Sequence, residues 1–195
     1  MSNSKFLNRL PVSSRQGAYS IHQAIAEKVG KDKRTLWRRC DDYALVVADE
    51  PIKGCDFKSY DPSPVTGQIT RFDLIAEVSV SKKTSEAARS RRTDPILEAR
   101  FASNGSESYD VIADRIGRDW LDKKGLSAGF EIIDLHRAEY TPFEFVRKGQ
   151  SIRVGAVRFA GRLQVTNADA FRAAMLNGIG HSKAWGCGLL LCFGN

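Results

Sequence analysis

The sequence predicts an α+β protein of two tandem ferredoxin-like (RRM-like, βαββαβ) domains, residues 1–92 and 93–195. Three observations lead there. The apolar runs of the second half follow the order β-α-β-β-α-β. The first half gives β-α-β-β, then a poor second helix, then β. Between them lies Lys82–Arg92, which carries five basic residues, one acid and no large apolar side chain. Such a stretch cannot bury itself and reads as a linker or a basic arm.

Taken in order, Lys5 to Val12 reads as a first strand. Ala18, Ile21, Ile25 and Val29 recur at helical spacing, and Gly30 ends the run. Lys31 to Arg39 is strongly basic and reads as a solvated loop. Asp42 to Ala48 is a strand, Pro51 and Gly54 make a turn, and Cys55 to Tyr60 is a further strand. Asp61 to Gly67 is a loop, and Gln68 to Ser81 is a long strand or hairpin. Past the basic stretch, Pro95 to Ala102 reads as a short strand. Ser106 caps a helix whose face carries Tyr109, Ile112, Ala113, Ile116 and Trp120, with Gly125 past its end. Gly129 to His136 and Ser151 to Thr166 are strands, the second bent at Gly155 or Gly161. Asn167 caps a helix with Phe171, Ala174 and Met175, closed by Gly178. Leu189 to Phe193 is the last strand.

Composition narrows the function classes. The 195 residues are 42% hydrophobic and 27% charged, ordinary for a globular protein. No apolar run approaches the roughly 20 residues that span a bilayer, and the N-terminus has no signal-peptide core. A cytoplasmic protein with no membrane partner is expected. The net charge of +7 suggests an anionic partner, nucleic acid first. Cys40, Cys55, Cys187 and Cys192 form no C-x-x-C pair, and with three histidines spread along the chain no metal site and no cofactor are expected.

The chemistry concentrates near the C-terminus. Gly178-Ile-Gly-His-Ser-Lys-Ala-Trp-Gly-Cys-Gly188 places four glycines in eleven residues between an apolar helix and an apolar strand. Glycine-rich turns with exposed N–H groups suit anions, and Lys183 adds charge. The spacing fits neither G-x-x-x-x-G-K-[ST] nor a dinucleotide fingerprint, so a phosphate backbone is expected there rather than a free nucleotide.

This segment resembles the C-terminal glycine-rich loop of CRISPR repeat-RNA endoribonucleases of the CasE type, where the pattern reads roughly G-I-G-x-x-K-x-x-G-C-G-L-L. The likeness extends upstream through Val157–Asn167 and recurs near the N-terminus as Tyr19-Ser-Ile-His22. The resemblance implies two ferredoxin-like domains and a catalytic Tyr19 and His22 at the start of the first helix. It implies a CRISPR repeat hairpin as substrate, cut at its 3′ base to leave a 2′,3′-cyclic phosphate and a 5′-hydroxyl on the crRNA. It also implies retention in a multisubunit RNA-guided surveillance complex with other Cas subunits.

The residues suit that chemistry. Cleaving RNA without a metal requires proton transfer at the 2′- and 5′-oxygens and stabilisation of phosphorane charge. An imidazole of pKa about 6.5 serves either transfer. A tyrosine of pKa about 10 is protonated at neutral pH and positions or donates. His22 is therefore the principal acid or base, with Tyr19 its partner three residues away on the helix. His136 reads as structural, and His181 is left out of catalysis. Lys183 is the first candidate for holding RNA, followed by Arg158, Arg162 and Arg153 from a run, Phe145–Arg162, that contains no acid. Arg91 and Arg92 belong to the basic arm, and Gly180, Gly186 and Gly188 to the loop backbone. The alternative is a non-catalytic RNA-binding RAMP subunit of the same fold.

Overall fold

A computed structural model describes residues 5–82 and 91–194, the Arg91 side chain excepted. The first unit runs β1 (Lys5–Pro11), α1 (Ala18–Val29), β2 (Leu36–Arg39), β3 (Tyr43–Ala48) and β4 (Asp56–Tyr60). Its strands form one antiparallel sheet in the order β2-β3-β1-β4. Ile21 and Ile25 of α1 pack with Leu10, Trp37, Val46 and Ile52 in its core. The weak second helix expected from sequence before Gln68 does not form; residues 61–68 are turn and irregular chain.

The second sheet contains β5 (Ile69–Glu77), β8 (Phe130–Tyr140), β11 (Ala156–Val165) and β12 (Leu190–Phe193), antiparallel in the order β12-β5-β11-β8. Numbered within its own unit, each sheet reads 4-1-3-2, the ferredoxin-like arrangement. The second unit's helices are α2 (Pro95–Ala102), α3 (Tyr109–Ile112), a π-helical turn at Ala113–Gly117, α4 (Arg118–Ala128) and α5 (Ala168–Asn177). Two small hairpins complete the fold: β6 (Val80–Lys82) with β7 (Arg91–Thr93), and β9 (Phe143–Arg147) with β10 (Gln150–Val154).

Four expectations are corrected here. First, β5 lies before the expected boundary at 92/93 yet is the opening strand of the second sheet. Its alternate residues Phe72, Leu74 and Ala76 are buried in the C-terminal core. The sheets change over in segment 61–68, and we place the domain boundary there. The basic stretch that suggested a linker lies between β6 and β7, and its residues 83–90 fall outside the described ones.

Second, Pro95–Ala102 is a helix and not a strand. The Asp94 carboxylate accepts from the N–H groups of Ile96 and Leu97 at 3.0 and 3.1 Å, and Pro95 fills the first helical turn.

Third, the following helical stretch is capped by Ser108, whose hydroxyl accepts from Val111 N–H at 3.3 Å, and it ends at Gly129. Gly125 is inside α4. A Cβ there would stand 2.5 Å from the Phe130 carbonyl oxygen, so the glycine serves close packing rather than a stop.

Fourth, Lys31–Arg39 is not all loop. Leu36, Trp37 and Arg38 form β2 and are buried. This edge strand is covered on both sides: Trp37 joins the first core, and Leu36 packs with Leu189 of the second unit.

Candidate active site

Helix α1 carries Tyr19 and His22 on the flank of its buried Ile21–Ile25 stripe, half-buried and turned toward the glycine-rich loop. The apolar spacing fixes this, because residues beside the stripe must lie at the helix's margin. The loop answers with Trp185. The His22 and Trp185 rings are 4.9 Å apart at 63°, an edge contact. Tyr19 stacks on Phe145 of β9 at 6.2 Å, and Trp185 lies 4.5 Å from the same Phe145. The Arg147 guanidinium sits 5.6 Å over Trp185. Three segments far apart in sequence thus meet around one imidazole.

His22 and Lys183 line the same open cleft, about 920 Å³, between the two units. Lys31, Lys33 and Arg34 line its other side, and His181 is exposed at its edge. Burial lowers the pKa of His22 below its ordinary value, and the Arg147 charge lowers it further. At pH 7 the ring is therefore mainly neutral. Burial also lowers the pKa of Lys183, with the cations Arg34 and Lys124 adding to it. A phosphate entering the cleft would relieve that repulsion.

The backbone of Gly186 and Gly188 is engaged within the protein. The N–H groups of Ile179, Trp185, Gly186, Cys187 and Gly188 all donate to protein carbonyls. The expected amide cradle is thus largely committed to internal bonds. Gly186 has φ +89°, and a Cβ there would stand 3.0 Å from the Trp37 ring. Gly180 faces Trp120, and Gly188 lies against the Ile179 carbonyl.

The expected arginines are not gathered at the cleft. Arg158 on β11 makes a two-pronged pair with Asp73, at 2.7 and 3.2 Å to one oxygen. Arg162 pairs with Asp134 through Nε at 2.7 Å, and Arg153 pairs with Glu144 at 2.9 Å. Arg92 lies 3.8 Å from Glu77. Each has a carboxylate partner distant in sequence or on the facing strand, which its own basic stretch does not reveal. Arg91's side chain lies outside the described residues. Arg147, Arg34, Lys31 and Trp185 are the site residues sequence reasoning did not single out. The acid-free run already contained Arg147, but nothing local marked it as the member facing α1. Among the described residues no three His, Cys, Asp or Glu side chains converge as a metal site requires, and no helix is long and apolar enough to cross a membrane.

Fold and site together define a class: a tandem ferredoxin-like protein whose inter-domain cleft presents an imidazole beside several cationic side chains. A family model described as CRISPR associated protein matches residues 7–192, and the chain belongs to that family. The CRISPR system Cascade subunit CasE of Escherichia coli (strain K12) is 35% identical over 71 residues, which is 36% of this chain and 35% of that protein. The match thus spans about a third of the length of that relative. Thermus thermophilus Cse3, solved bound to an RNA representing a pre-cleavage complex, superposes with a TM-score of 0.71 at 21% identity, covering 98% of this chain and 100% of that one. Cas6e from E. coli K-12 superposes with a TM-score of 0.66 at 20% identity, covering 96% and 98%. At these identities the two structures bear on the fold.

Proposed function

We propose that this protein is an endoribonuclease that binds a CRISPR repeat hairpin, cleaves it at its 3′ base and remains with the crRNA in a complex with other Cas subunits. The observation that carries this reading is the meeting of His22 with the lysine-bearing loop across one cationic cleft. Membership of the CRISPR-associated family, the Cse3–RNA likeness and the net charge support the substrate class.

The chemistry follows from the groups present. Neutral His22 accepts the proton of the 2′-hydroxyl as that oxygen attacks the adjacent phosphorus. The bond from phosphorus to the 5′-oxygen breaks, leaving a 2′,3′-cyclic phosphate on one product. The leaving 5′-oxygen takes a proton to become a hydroxyl, and the Tyr19 phenol or water supplies it. Lys183 and Arg147 offset the charge that gathers on the phosphorane. No step calls on a metal. Arg158, Arg162 and Arg153 hold strands and the β9–β10 hairpin in place, and any RNA contact they make is shared with their carboxylates.

The test is cleavage of a repeat hairpin in EDTA. His22→Ala is expected to reduce the single-turnover rate at least 1,000-fold, on the order of a lost acid–base group, with affinity within a few-fold. Binding without cleavage by the wild type, unchanged by the substitution, favours the non-catalytic RAMP subunit instead.

A further inference from the structure

Besides the side chains of α1, the N-terminal unit sends Trp37 of β2 onto the glycine-rich loop, beside the packing of Leu36 at Gly178. Trp37 of β2 is 1% exposed, and its indole N–H donates to the Ala184 carbonyl at 3.0 Å across 147 residues of sequence. Ala184 lies between Lys183 and Trp185, in the single 3₁₀ turn Lys183–Trp185. Anchoring its carbonyl therefore fixes the residues on both sides. The ring also fills the space left by Gly186, whose missing Cβ would stand 3.0 Å away. The far side of the turn is pinned separately. Ser182, at φ +53°, donates its hydroxyl to Glu77 Oε2 at 2.6 Å.

We propose that Trp37 is a positioning residue for the cleavage reaction, holding the Lys183–Trp185 turn so that Trp185 stays on His22 and Lys183 stays in the cleft. This rests on the endoribonuclease reading for its kinetic consequence, but the placement of His22 can be read without RNA. A buried indole N–H needs an acceptor, and here the acceptor belongs to the other domain. The bond makes the docking of β2 and the geometry of the site one event. A turn freed from it keeps the Ser182 bond and the packing of Trp185 on Phe145 but loses the hydrogen bond that fixes the Ala184 carbonyl, and small displacements of catalytic groups carry large rate penalties.

The experiment compares wild type, Trp37→Phe and Ile52→Ala. Phenylalanine keeps most of the buried ring and removes the donor. Ile52 lies in the same core and makes no bond to the loop, so its variant reports general loosening. Two readouts are taken: the His22 titration and ring-shifted proton resonances by NMR, and single-turnover cleavage with hairpin affinity. Trp37→Phe is expected to raise the His22 pKa toward its ordinary value. Its resonances should shift away from the Trp185 ring-current position, and the rate should fall about tenfold at affinity within twofold. Ile52→Ala is expected to lower the melting temperature with both His22 readouts unmoved. The proposal is overturned if Trp37→Phe leaves His22 as in the wild type, or if Ile52→Ala moves it equally. Should the wild type cut no repeat RNA, the functional reading fails and the NMR arm still decides the role of Trp37.

Discussion

His22 is a single residue whose surroundings choose its role. Burial against Trp185 and the charge of Arg147 both disfavour the imidazolium, so the neutral form dominates at pH 7. A neutral ring serves as base. The expected kcat/KM for cleavage rises with pH up to a pKa below 6.5 and then levels. An acid role would give the reverse limb, falling above that pKa. Arg147→Ala removes one cause of the depression, so the rising limb should move to higher pH. A profile that stays in place would remove Arg147 from the electrostatics of the ring. The pair Tyr19 and His22 was visible in the sequence only through a four-residue resemblance. Arg147 and Trp185 were not visible as partners, because the contacts that matter are with a helix more than a hundred residues away.

Among elements, the strands of the two units are tied by one carboxylate. Asp73 on β5 receives Arg158 from the neighbouring β11 and Arg38 from β2 of the first unit, the latter at 2.8 Å. Burial alone would raise the Asp73 pKa; the hydrogen bonds and charges of the two guanidinium groups outweigh it and hold it low. A depressed carboxylate stabilises the fold above its unfolded pKa of about 3.9, and that stability is lost as pH falls through the lower folded value. Asp73→Ala leaves Arg38 buried without its counter-charge. The expected loss is about 3 kcal/mol in urea unfolding at pH 7, shrinking at acid pH. A variant as stable as wild type at pH 7 would show that the triad contributes nothing to docking. The sequence marked Arg158 as a candidate for holding RNA, because its acid lies 85 positions away. It also read Pro95–Ala102 as a strand, since eight residues with Ile96, Leu97 and Phe101 carry too little periodicity to overrule. The Asp94-Pro95 pair, a cap followed by a first-turn proline, was the local signal for a helix.

At the scale of the whole molecule, the tandem ferredoxin-like class was readable from apolar runs and turn residues, and the structure gives both sheets the same strand order, although the strand that opens the second sheet is Ile69–Glu77 and not Pro95–Ala102. The boundary was not readable, because a strand's sheet is set by its partners. Ile69–Glu77 pairs with Ala156–Gln164 and Leu190–Phe193, both far downstream. The basic stretch 82–92 looked like a linker only because nothing in it could be buried. The cleft itself is a product of docking: α1 and β2 come from one unit, the glycine-rich loop from the other. The most direct measurement of what this cleft does uses a repeat hairpin with one 2′-deoxy sugar before the scissile phosphate. It should bind as tightly as the all-ribose hairpin and remain uncut, because the nucleophile of the proposed reaction is gone. Cleavage of that deoxy hairpin at the wild-type rate would contradict the mechanism.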